Sequence, residues 1–125
     1  MIGYVTIGTN NIDKAVEFYD AAFAPLGAKR DFKDGTWAGY GREGDEMKIY
    51  VCGPFDGKAA SSGNGSMLAF QAKSREDVQA FHVAALKAGG ADEGAPGTRG
   101  EMNPPFYAAY ARDLDGNKLC AYVRK

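Results

Sequence analysis

The chain has 125 residues, 45% hydrophobic and 25% charged, which suits one globular domain with a modest core. A net charge of −1 gives no electrostatic reason to bind nucleic acid or an anionic membrane, no apolar stretch approaches a membrane span, and no leader-like segment opens the sequence. Two cysteines, Cys52 and Cys120, do not make a disulfide framework, so a reducing, cytoplasmic setting is expected.

Ile2 to Gly8 alternates and is rich in β-branched residues, which predicts a strand. Thr9-Asn10-Asn11 supplies N-cap chemistry, and Asp13 follows where a helix N-terminus favours an anion. Ile12, Val16, Tyr19 and Phe23 then recur at helical spacing, and Pro25 and Gly27 end the helix. Three strands follow, near 28–33, 36–42 and 46–52, with turns at Asp34-Gly35 and Gly44-Asp45. Residues 54–64 have linker composition. A strand over 65–72 comes next. Ser74 caps a second helix with Val78, Phe81, Ala85 and Leu86 on its apolar face, and Gly89-Gly90 stops it. Strands near 106–112 and 117–124 flank the turn Asp113-Leu114-Asp115-Gly116-Asn117. Residues 94–105 read as a long loop with little strand character.

The two halves repeat. At a shift of 63, Phe18 falls on Phe81 and Gly27-Ala28 on Gly90-Ala91; at a shift of 70, Tyr40 falls on Tyr110, Arg42 on Arg112 and Lys48 on Lys118. The expected fold is therefore α+β: two βαβββ modules in tandem, about 1–53 and 65–125, forming a curved mixed sheet around a cleft. Alternation assigns faces. Ile49 and Val51, and Leu119, Ala121 and Val123, go with the helices. Tyr4, Lys48, Tyr50 and Cys52 take the other face of the first module; Met67, Lys118, Cys120 and Tyr122 take that of the second.

This chain resembles the vicinal oxygen chelate superfamily of glyoxalase I, extradiol dioxygenases and bleomycin resistance proteins. The resemblance rests on the paired modules, on Val5-Thr6-Ile7-Gly8-Thr9 followed by Ala15-Val16-Glu17-Phe18-Tyr19-Asp20, on Phe81-His82-Val83-Ala84-Ala85-Leu86, and on Arg112-Asp113-Leu114-Asp115-Gly116-Asn117-Lys118-Leu119. It implies a homodimer. In metal-dependent members it implies His and Glu ligands on the first and last strand of each module, positions held here by Tyr4, Tyr50, Met67 and Cys120. None is a ligand that hard divalent metals prefer. No metal or cofactor is therefore expected, and the resemblance to lactoylglutathione lyases does not carry their ligand set.

The expected ligand is a small organic molecule in a cleft lined by Tyr4, Tyr50, Met67, Cys120, Lys48, Cys52, Trp37, Tyr107, Tyr122 and Arg99. Tyrosines and Met suit a flat or apolar molecule, and cations suit its carboxylate or phosphate. Trp37 and Tyr107, matched by the shift of 70, could stack on such a ligand or serve as core. Cys120 is a candidate nucleophile and Glu101 a candidate general base. His82, the only histidine, is read as a half-buried helix residue. A glyoxalase-like enzyme with a non-standard site, and a structural protein with a filled cleft, are the other two readings.

Overall fold

A computed structural model describes residues 1–125. Each half is βαβββ, as the repeat requires. The first contains β1 (Tyr4–Gly8), α1 (Ile12–Phe23), β2 (Ala28–Asp34), β3 (Trp37–Arg42) and β4 (Lys48–Cys52); the second contains β5 (Met67–Gln71), α2 (Arg75–Lys87), β6 (Ala91–Thr98), β7 (Phe106–Arg112) and β8 (Lys118–Arg124). The strands form two separate four-stranded sheets, ordered β1-β4-β3-β2 and β5-β8-β7-β6. In each sheet the first and last strands of the module pair in parallel, and the remaining pairs are antiparallel.

The caps follow the sequence. Asn11 Oδ1 accepts from Lys14 N at 3.1 Å, and Ser74 Oγ accepts from Asp77 N at 3.1 Å. Residues 94–98, expected as loop, belong instead to β6, whose pairing with β7 slips twice, between Asp92 and Gly94 and again between Gly94 and Gly97. Bulges with glycines hide the alternation that marks a strand. The segment between β4 and β5 is pinned rather than free: Ala60 N donates to Asn10 Oδ1 at 2.7 Å, and Asn10 Nδ2 donates to Ala60 O at 3.1 Å.

Helix α1 buries two stripes. Val16, Tyr19 and Phe23 face the first sheet, where Tyr40 meets all three: its hydroxyl, bonded to Asp20 Oδ1 at 2.8 Å, lies 3.3 Å from Val16 O, and its ring packs against Tyr19 and Phe23. Ala15, Phe18 and Ala22 form the second buried stripe, and Phe18 reaches the second module beside Gly90. A Cβ at Gly90 would lie 2.6 Å from Arg112 O and 2.9 Å from the Phe18 ring, so only glycine lets these elements close up. Phe23 packs edge-on against Phe70, with centroids 5.1 Å apart. One continuous core therefore spans both modules.

The Asp113–Asn117 turn locks this junction. The buried Asp113 carboxylate accepts from Tyr19 Oη at 2.5 Å, Asp115 N at 2.9 Å, Asn117 N at 2.8 Å and Asn117 Nδ2 at 2.9 Å. Asn117 Nδ2 also donates to Gly8 O at 3.0 Å. Burial, and then the Asp113 charge, hold the Tyr19 hydroxyl well above the ordinary phenol range, so it stays a donor. Tyr19→Phe should therefore cost about 1.5–3 kcal/mol, the range for a hydrogen bond to a buried charge. Urea unfolding with an unchanged m-value measures it; a loss below about 0.5 kcal/mol would mean that Asp113 does not depend on Tyr19.

Candidate functional site

Alternation places the sequence-derived strand residues, Tyr107 excepted, on the faces that carry no helix. In the first sheet, Tyr4 and Trp37 are 63% and 41% exposed, while Val51 on the helix face is fully buried. Tyr4 and Tyr50 meet edge to face at 5.4 Å; Trp37 and Phe32 lie 5.8 and 5.9 Å from Tyr50. Four aromatic rings thus form one open patch. Phe32 is the member that sequence reasoning missed. It sits opposite Gly39 after a register shift in β2, a position that alternation does not predict. Lys48 Nζ pairs with Asp31 at 2.5 Å on the same face. Cys52 lies at the end of β4, 6% exposed, and burial raises its thiol pKa.

The second sheet presents a different face. Met67 is 44% exposed. Tyr122 stacks on Phe106 at 5.3 Å, and Arg124 lies over Phe106. Tyr110 pairs with Cys120 across the β7–β8 ladder. Arg99 and Lys118 each lie 5.4 Å from the Tyr110 ring centroid. Cys120 is 1% exposed beneath these groups, and burial pushes its thiol up to about 11. Arg99 and Lys118 oppose that shift but do not cancel it, so Cys120 is a protonated thiol at neutral pH rather than an activated nucleophile. Glu101 is exposed in the β6–β7 turn, with no hydrogen bond to fix it.

Tyr107 does not share this face. It is 8% exposed on the helix side, its hydroxyl accepts from Gln79 Nε2 at 2.8 Å, and Arg75 lies over its ring. The cause is a one-residue difference between the modules. Tyr40 pairs with Ile49 and Ala111 with Leu119, so eight residues separate the first pair and seven the second. A one-residue slip exchanges the two faces of a strand. Trp37 therefore corresponds in space to Ala108, and Tyr110, matched by sequence to the buried Tyr40, turns to the open face. His82 is more buried than expected, at 7% exposure, with Nε2 2.9 Å from Asp92 Oδ1.

The two open faces are not brought together within the chain. The modules meet through their helix-bearing sides; one cavity, between Thr6 and Gly8 of β1 and Met67 and Lys118 of the second module, touches both faces beside residues 61–66, but it is not lined by Tyr4, Tyr50 or Cys120. The most enclosed cavity, about 160 Å³, lies between Phe23, Tyr40, Ile49, Leu68 and Phe70 at the module junction. No three His, Cys, Asp or Glu side chains converge anywhere. Two phenols, a thioether and a high-pKa thiol do not fit a hard divalent metal, whatever brings them together.

Residues 1–121 match the Glyoxalase/Bleomycin resistance protein/Dioxygenase superfamily. The chain belongs to this superfamily. Its structure is similar to that of a glyoxalase/bleomycin resistance protein from Albidiferax ferrireducens, with 36% identity, 99% of each chain covered and a TM-score of 0.91. It shares the fold of a glyoxalase/bleomycin resistance protein/dioxygenase family enzyme from Burkholderia phytofirmans at 20% identity, with 98% of each chain covered and a TM-score of 0.75. It also shares the fold of a lactoylglutathione lyase from Agrobacterium tumefaciens, at 16% identity, 98% and 92% coverage and a TM-score of 0.69. The search of curated proteins gave no match. No helix is long and apolar enough to cross a membrane.

The buried, high-pKa thiols make a direct prediction. In the native protein at pH 8, iodoacetamide should alkylate Cys52 and Cys120 at least about tenfold more slowly than in urea-unfolded protein, as peptide mass spectrometry reads. Rapid native labelling of Cys120 would contradict this placement.

Proposed function

We propose that this superfamily member binds a small organic molecule, without a hard metal centre, in a cleft that two copies complete together. The observation that carries the proposal is the use each chain makes of its faces. Both helix-bearing sides are spent joining its own modules, which leaves uncovered the patch of Tyr4, Tyr50, Trp37 and Phe32 and the face of Met67, Tyr122, Arg99 and Lys118, with Cys120 buried beneath it. Exposed aromatic clusters of this kind mark binding surfaces. β1 and β5 also each keep one edge without a strand partner.

The first module of one copy, set edge to edge against the second module of another, meets both needs. β1 lies beside β5, and the aromatic face curves toward the cationic one. The contact is two-fold symmetric, so two equivalent clefts result. Tyr4, Tyr50 and Met67 then line the centre, with Cys120 beneath them, and Lys48 and Trp37 lie toward the first-module end, with Cys52 beneath.

Native mass spectrometry tests the reading in one measurement. The expected result is a homodimer at micromolar concentration without stoichiometric divalent metal. A monomer at micromolar concentration, or a stoichiometric metal that Cys120→Ser releases, would refute it.

A further inference from the structure

The two open faces differ in charge. On the first, Lys48 is neutralised by Asp31. Its counterpart Lys118, at the same place in the second module, has no carboxylate within salt-bridge distance. Glu93 lies close enough to sense Lys118, but its carboxylate is held by Arg112 at 2.6 Å. Arg99 also lacks a carboxylate partner; its Nη2 donates to Ala95 O at 2.5 Å.

The position of Arg99 is built. A Cβ at Gly94 would stand 3.1 Å from its Nη2 and 2.9 Å from the Tyr110 ring, and one at Gly97 would stand 3.0 Å from its Nη1. The two glycines at the bulges of β6 thus open a slot that turns the guanidinium onto Tyr110. Two like charges gathered on one ring repel each other, and cation–π attraction offsets only part of that. An anion between them reverses the sign.

We propose that Arg99 and Lys118, gathered on Tyr110, form an anion subsite, and that the ligand is a planar aromatic acid. Its carboxylate lies on these two cations. Its ring lies against the aromatic patch that a second copy brings opposite, so the inference rests on the two-copy cleft proposed above. Arg supplies a planar fork for the carboxylate and Lys a point charge.

Calorimetry with 2-naphthoate and its neutral isostere 2-naphthamide tests this. The naphthoate should bind the unaltered protein at least about tenfold more tightly, the effect expected of a charge-assisted pair. Inorganic phosphate should compete with the naphthoate and leave the naphthamide untouched, an arm that needs no variant to fold. The double variant Arg99→Gln/Lys118→Gln should bring the two affinities together by weakening the naphthoate alone. Equal affinities in the unaltered protein would overturn the anion subsite while the cleft stands. Binding of neither probe by a dimer would overturn the aromatic acid; a monomeric protein would remove the cleft beneath it.

Discussion

A four-stranded sheet with one helix has two faces and a cover for only one of them. Everything else in this chain follows from how that shortage is met. α1 buries two adjacent stripes, one on its own sheet and one on the other module, so the helix-bearing sides of both halves merge into a single core. The open faces are what remains. They carry large aromatic and sulfur side chains that burial in a core would ordinarily claim, Tyr4, Trp37, Phe32 and Met67 among them. A chain that leaves this surface uncovered needs something else to meet it.

The junction is polar at its two ends, and both are satisfied. Asp113 gathers its donors from its own turn and from Tyr19 of the other module, while Asn117 reaches Gly8. Arg42 does the corresponding work at the opposite end, bonding Asp45 within its own module and Gln71 O of the second at 2.8 Å. These contacts tie α1 and the strand ends of one module to a turn and a strand end of the other. They fix the relative setting of the two sheets, and with it the direction in which each open face points.

Much of this was legible in the residues. Two caps, the order of elements and the faces of β1, β4, β5 and β8 follow from local chemistry and a period of two. The repeat placed Tyr4 opposite Met67 and Tyr50 opposite Cys120 correctly, because parallel pairing keeps both modules in the same register there. It failed at Trp37 and Tyr107. Sequence matching carried the shift of 70 through a hairpin that is one residue shorter in the second module, and the face inverted. The bulges of β6 concealed a strand, and the slot for Arg99 with it. How the modules meet was out of reach, since residues on α1 look equally apolar whether they face a sheet or another helix.

The central claim is that neither chain closes its own cleft. Subunit complementation tests it most directly. One variant carries Tyr4→Ala/Tyr50→Ala, which empties the aromatic face; the other carries Arg99→Gln/Lys118→Gln, which empties the cationic face. Unfolded together in equal amounts and refolded, they should regain tight 2-naphthoate binding in roughly a quarter of the clefts, the statistical share with both intact faces in a randomly paired dimer. If the mixture binds no better than its two parents, each chain builds its cleft alone and the account fails.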